Sequence, residues 1–313
     1  MNYRYYDSII VMKGGNTMFD CIVIGGGPAG LASALTLGRA LKKTLVIDNN
    51  NARNKVTQHS HAFLTQDGVR PEELRAKGEH DVDQYDDVTR INDTVLNILK
   101  EEHYFIVETA NQQYKAKKIM VCTGLRETLP EIKGLKESYG KSVFYCPWCD
   151  GYELRHKPLL VAVQPEHVKH MAMLINNWTD DIVISSRDFS LLTEEDKAFI
   201  ESKHITLVES EVAEFKHHEG QINEVIFKNS ERINRSGAII GVKWDTDFEF
   251  LKALNIERED NGKIKINELG ESSVPGLFVA GESKDFMASQ LIDAAANGNQ
   301  VAKFVAMQII MES

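Results

Sequence analysis

The chain of 313 residues predicts an α/β fold built on a Rossmann-like dinucleotide-binding unit, and three observations carry that expectation. An unbroken apolar run, Phe19 to Ile24, flows into Gly25-Gly26-Gly27-Pro28-Ala29-Gly30 and then into a helical pattern over Leu31 to Leu41, the order strand, glycine turn, helix. A second apolar strand, Thr44 to Ile47, ends in Asp48, close to the offset of about 20 residues at which an acid meets an adenosine ribose. The composition, 42% hydrophobic and 26% charged, is that of an ordinary globular protein with length enough for two domains.

Residues 1–17 lack periodicity and are expected to be a leader, non-native or disordered, without a functional role. Codons for Lys13-Gly14-Gly15-Asn16 can spell a purine-rich ribosome-binding sequence, so translation is expected to start at Met18. In the glycine turn, Gly25 permits the tight bend, Gly27 lets backbone approach a pyrophosphate, and Gly30 lets helix and strand pack closely. The helix N-terminus then offers N–H groups and positive dipole to phosphates.

A polar loop follows Asp48, carrying His59 and His61, and Pro71 opens a helix. Residues 88–121 read as short strands, clearest at Tyr104 to Thr109 and Ile119 to Val121, ending in Cys122-Thr123-Gly124. A meander at this place is typical of FAD rather than NAD domains. Leu159 to Val163 and Asp181 to Ser185 read as further strands, His217-His218 as a hairpin tip before Gly220, and Ser289 to Ile310 as a helix.

A net charge of −10 without a basic patch excludes a nucleic-acid partner, and no apolar run is long enough for a transmembrane helix. The four cysteines, Cys21, Cys122, Cys146 and Cys149, make neither a disulfide framework nor a structural zinc set. A reducing cytoplasm is the expected compartment, with no metal, and Cys21 and Cys122 are expected to be inert core thiols. Cys146-Pro147-Trp148-Cys149-Asp150-Gly151 places two thiols two residues apart beside an acid, which suits disulfide exchange. By itself the pair also reads as half a zinc site or a thioredoxin-like motif.

Gly25 to Gly30, Thr123-Gly124, the Cys146 to Gly151 box with Tyr152-Glu153, and Val279-Ala280-Gly281-Glu282 with Gln290 and Gly298 resemble, in that order, the bacterial thioredoxin reductases. The resemblance runs over nearly all of the chain from Met18. It implies two Rossmann-like three-layer domains, an FAD domain (18–125 and 241–313) split by an inserted pyridine-nucleotide-like domain (126–240) that carries the redox cysteines. It also implies a homodimer, FAD as cofactor, Cys149 against the flavin, Cys146 as the exchange thiol and Asp150 as general acid/base. The FAD-binding set is then Gly25, Gly27, Pro28, Ala29, Gly30, Asp48, His61, Thr123, Gly124, Gly281, Glu282 and Gln290, with Glu282 standing where the family has an aspartate.

The insert departs from the family. After Leu159 to Val163 comes Gln164-Pro165-Glu166-His167, with no glycine from 158 to 178. Side chains there obstruct a pyrophosphate, and Glu166 adds charge of the wrong sign. Beyond the next strand, Arg187 alone faces Asp188, Glu194, Glu195 and Asp196, a thin match for the extra phosphate of NADPH. The expectation is therefore an FAD-dependent dithiol/disulfide oxidoreductase that does not bind NADPH in its insert. The His59-x-His61 segment resembles that of the gliotoxin-type dithiol oxidases, and the missing nucleotide motif resembles the ferredoxin-linked flavin thioredoxin reductases. Its partners would be a thioredoxin-like protein or a small dithiol, with oxygen or ferredoxin as electron partner. The alternatives are an NADPH-dependent thioredoxin-disulfide reductase with an atypical nucleotide site, and a flavoprotein redox sensor or binding module.

Overall fold

The computed structural model describes residues 17–246, 248–284 and 289–312. The expected leader, apart from Thr17, lies outside the described residues. The chain enters through β1 (Met18–Ile24), α1 (Pro28–Arg39), β2 (Thr44–Asp48), α2 (Pro71–Val82) and β3 (Val88–Asn92). It then runs through β4 (Val95–Lys100), β5 (Phe105–Thr109) and β6 (Gln113–Val121). The sheet order is β3-β2-β1-β6-β5-β4. The first four strands run parallel, Ile22 lying between Leu45 and Ile119, and the β4–β5–β6 meander is antiparallel. Thus β3 belongs to the parallel sheet rather than to the meander.

Alternation along β1 separates two cores, as period-2 patterning requires. Cys21 and Val23 pack with α1, while Ile22 and Ile24 pack with Phe105, Phe250 and Leu277 on the other face.

The next stretch holds β7 (Arg126–Thr128), α3 (Leu135–Ser138), β8 (Val143–Phe144), α4 (Pro147–Asp150), β9 (Leu159–Ala162), α5 (Val168–Ile175), β10 (Ile182–Ser186), α6 (Glu194–Ser202) and β11 (Thr206–Glu209). After it come β12 (Val212–His218), β13 (Gln221–Phe227), β14 (Arg232–Asn234) and β15 (Gly237–Ile240). A second parallel sheet has the order β11-β10-β9-β15-β8, and β12-β13-β14 form a separate antiparallel sheet. His217 and His218 end β12, and the hairpin tip is Glu219-Gly220, at φ 51° and 87°. Two left-handed residues match the twist of the flanking strands, and glycine takes one of them without cost.

A short ribbon pairs β16 (Lys243–Asp245) antiparallel with β7, joining the segments that lead into and out of the second sheet. The chain then returns to the first sheet, where β17 (Leu277–Val279) runs parallel to the C-terminal half of β6. It closes with α7 (Leu291–Met311), which crosses α1 so tightly that a Cβ on Gly298 would lie 2.1 Å from the Ala29 carbonyl oxygen. Among the described residues no helix is long and apolar enough to cross a membrane.

Candidate active site

A cavity of about 630 Å³ opens at the C-terminal ends of β1, β2 and β6, where Rossmann-like sheets bind their ligands. Gly25, at φ 104°, sits so close to Cys122 that a Cβ would fall 2.4 Å from its carbonyl oxygen. A Cβ on Gly30 would fall 1.8 Å from the Gly25 carbonyl oxygen. Around the Cβ direction of Gly27 there is open space, and Gly27, Pro28 and Ala29 line the cavity. No side chain caps α1 and its first turn holds no acid, so its N-terminal N–H groups remain for an anion.

Asp48 lines the same cavity and is already held by three donors. Its Oδ2 accepts from Gly26 N–H at 2.6 Å, and its Oδ1 from the Arg75 guanidinium at 2.6 Å and Asn50 N–H at 2.7 Å. Burial raises its pKa, but the hydrogen bond from Arg75 and the others outweigh it, so the carboxylate titrates below its ordinary value.

Thr123, Gly124, Glu282 and Gln290 complete the far end of the cavity. The Gly124 N–H donates to Ser283 Oγ at 2.7 Å, and the Ser289 N–H to Glu282 Oε1 at 2.7 Å. Gly281, at φ 67°, turns the chain so that Glu282 faces the cavity, while its own N–H donates to Asn297. Gly30 and Gly281 act through packing and lie behind the lining.

Arg53, which no sequence pattern marked, is the main addition. It lines the cavity, its Nη2 reaches Glu282, and its Nη1 donates to the Tyr145 hydroxyl at 3.0 Å. Its guanidinium also lies 4.9 Å from the Trp244 ring centre. Tyr145 precedes Cys146, and so Arg53 joins the cavity wall to the cysteine box.

Cys146 and Cys149 form a disulfide with their Cα atoms 5.3 Å apart. Cys146 caps α4, its Sγ accepting from Cys149 N–H at 3.2 Å, with Pro147 at the first helical position. Asp150 ends that turn and is not its cap. Its carboxyl is pushed up to about 7 by burial and, secondarily, by the negative charge of Glu153. Trp148, between the cysteines, is exposed and meets Trp178 edge-on at 5.7 Å.

His61 stands outside the cavity lining. Its Nε2 lies 3.8 Å from Glu153 Oε1 and its Nδ1 3.6 Å from Asp67 Oδ1. The structure thus brings it to the acid following the cysteine box rather than to the cofactor set. Cys21 and Cys122 are both buried, and burial pushes the Cys122 thiol up to about 12.

The family model described as pyridine nucleotide-disulphide oxidoreductase matches residues 19–174. A probable thioredoxin reductase of Arthroderma benhamiae is 30% identical, over 90% of this chain and 76% of its own length. The chain belongs to the thioredoxin reductase-like disulfide oxidoreductases. Among solved structures, the putative thioredoxin reductase TrxB of Bacillus anthracis is 36% identical with a TM-score of 0.88, covering 94% of this chain and 99% of that one. HlmI is 28% identical with a TM-score of 0.86, covering 95% and 94%.

This family of FAD-dependent oxidoreductases acts on sulfur groups, and the cavity fits the cofactor. The space at Gly27, the uncapped N-terminus of α1 and the carboxylate of Asp48 suit pyrophosphate and ribose, and Glu282 and Gln290 line the remainder of the cavity. When bound, FAD would supply an electron carrier able to exchange electrons with a partner that is not a thiol, beyond the dithiol/disulfide chemistry that Cys146 and Cys149 provide.

Proposed function

We propose that the chain is a dithiol/disulfide oxidoreductase that uses Cys146 and Cys149 and takes no electrons from NADPH bound in its insert. The observation carrying this reading is the turn after β9. Pro165–His167 form a 3-10 turn leading into α5, where a pyridine-nucleotide site needs a glycine turn. Arg187, which follows β10, supports it, because its Nε lies 3.4 Å from the carboxylate of Asp188.

In the reaction, a substrate thiolate attacks Cys146 Sγ, the Cys146–Cys149 bond breaks, and Cys149 leaves as thiolate. The second substrate thiol, once deprotonated, attacks the substrate sulfur of the mixed disulfide and releases Cys146 as thiolate. The N–H of Cys149 directed at Cys146 Sγ favours that anion. Asp150, poised near neutrality, receives the substrate proton. Arg53, Glu282 and the glycine turn hold the cofactor end of the site.

The substrate would be a small dithiol or a thioredoxin-like protein, with oxygen or ferredoxin as electron partner, in a cytoplasmic homodimer. The division into 18–125 with 241–313, and 126–240, is part of the same reading. The test is anaerobic mixing of the FAD-loaded protein with NADPH, NADH, reduced thioredoxin and dithiothreitol in separate runs. Bleaching of the flavin band by a dithiol is expected. Prompt bleaching by NADPH would overturn the reading in favour of an NADPH-dependent thioredoxin-disulfide reductase.

A further inference from the structure

Arg53 opens a 3-10 turn, Arg53–Val56, on the loop that follows β2 along the wall of the cofactor cavity. Its guanidinium meets three elements that lie far apart in the chain. Nη2 is 2.8 and 2.7 Å from the two carboxylate oxygens of Glu282, and Nη1 donates to the Tyr145 hydroxyl at 3.0 Å. The central carbon lies 4.9 Å from the centre of the Trp244 ring on β16, and that ring meets Tyr145 edge-on, also with 4.9 Å between ring centres. The backbone brings the same segments together. Gly140, at φ 78°, approaches the end of the Arg53 turn so closely that a Cβ would lie 2.3 Å from the Val56 carbonyl oxygen. A contact through backbone leaves little play between this turn and the segment that leads to the cysteines.

Arginine suits the place because its planar fork aims separate N–H groups in fixed directions, which the single ammonium of lysine does not do. An arginine that served only to neutralise Glu282 would need one edge of that fork. Here the second edge is spent on the residue immediately before Cys146.

We propose that Arg53 is a positioning residue for the disulfide chemistry, tying the Cys146–Cys149 box, through the Tyr145 hydroxyl, to the carboxylate of Glu282 in the cofactor cavity. This rests on the proposed dithiol reaction. After that reaction Cys146 and Cys149 are a dithiol. To serve again they lose two electrons and two protons and close their S–S bond, and FAD takes up both electrons and both protons. Such a transfer depends on close placement of the two partners, and a misplacement of about 1 Å costs on the order of a hundredfold. Glu282 lines the cavity and Tyr145 adjoins the sulfur, so one rigid guanidinium fixes how the box stands to the cavity.

The experiment uses the full-length, FAD-loaded protein and three variants. Tyr145→Phe removes the hydroxyl and keeps the ring, Arg53→Lys keeps a charge for Glu282 and loses the fork, and the third variant combines them. Hydrogen exchange is read by mass over residues 139–146, with 18–24 in β1 as control. Loss of a hydrogen bond to a charged group should speed exchange over 139–146 about tenfold in each variant, by easing local opening. Exchange over 18–24 should stay within twofold of the parent. The second readout follows mixing with dithiothreitol under anaerobic conditions. Loss of the Cys146–Cys149 disulfide is counted after acid quench and alkylation, and bleaching of the flavin band is followed in parallel. The ratio of the bleaching rate to the rate of disulfide loss should fall about tenfold in Tyr145→Phe, and the double variant should fall no further than Arg53→Lys. Exchange or ratios within twofold of the parent, additive losses in the double variant, or exchange that quickens equally over 18–24 would overturn the positioning role. Failure of dithiothreitol to bleach the parent would instead defeat the proposed function, while exchange over 139–146 would still decide whether Arg53 holds the box.

Discussion

Arg53 Nη2 lies 2.8 and 2.7 Å from the two carboxylate oxygens of Glu282, residues 229 positions apart in the chain. Glu282 is 10% exposed, so its charge depends on this partner. Removing one member of such a buried pair leaves the other uncompensated. Arg53→Met is expected to lower unfolding free energy by roughly 3 kcal/mol, read as a shift of the urea midpoint. Adding Glu282→Gln should recover most of that loss. A single variant as stable as the parent would show that water, not Arg53, satisfies Glu282.

Gly27 and Gly30 make opposite predictions on the same turn. A Cβ on Gly27 meets open space beside the cavity, whereas one on Gly30 would overlap the Gly25 carbonyl oxygen at 1.8 Å. Gly27→Ala should fold with an unchanged melting temperature yet retain less than about a tenth of its FAD through gel filtration, an obstructed pyrophosphate contact. Gly30→Ala should lose several kcal/mol of stability, on the order of 3 or more, through backbone strain. Equal FAD retention by Gly27→Ala and the parent would argue against the phosphate position.

The glycine turn, Asp48 and the cysteine box were legible because each is a short pattern whose chemistry is local. Arg53, Tyr145 and Trp244 were not, since the cluster joins a polar loop, the approach to the cysteines and the β7–β16 ribbon, and no periodicity announces such a meeting. His61 shows the same limit from the other side. Its place opposite Glu153 follows from Asp67 and the left-handed Ala62, which no local pattern marks.

The four cysteines should separate cleanly by reactivity. Cys122, pushed up to about 12 by burial, and Cys21, raised well above its ordinary value by the same cause, carry almost no thiolate at pH 8. After reduction, brief iodoacetamide treatment of the folded protein should add two adducts, at Cys146 and Cys149, and four only after denaturation. Fast labelling of Cys122 in the native state would contradict its enclosure by Ser33 and the first sheet.

Asp150 should make stability depend on pH in a particular direction. Its folded pKa of about 7 lies above the ordinary 3.8, so the folded chain holds a proton that the unfolded chain has released. Relative to an uncharged side chain at this place, Asp150 costs nothing below pH 4, where it is protonated in both states, becomes increasingly unfavourable as pH rises, and reaches its full cost above pH 7. Three units at 1.36 kcal/mol each set an upper bound near 4 kcal/mol, and residual solvent contact reduces the expected value to about 2. Asp150→Asn should therefore match the parent in unfolding free energy at pH 4 and exceed it by about 2 kcal/mol at pH 8. The same variant should slow disulfide exchange with dithiothreitol at pH 7 by about a hundredfold, the loss of a positioned acid/base group. A parent and variant whose stabilities run parallel from pH 4 to 8 would mean that Asp150 ionises normally, and that proton transfer at Cys146 falls to another group.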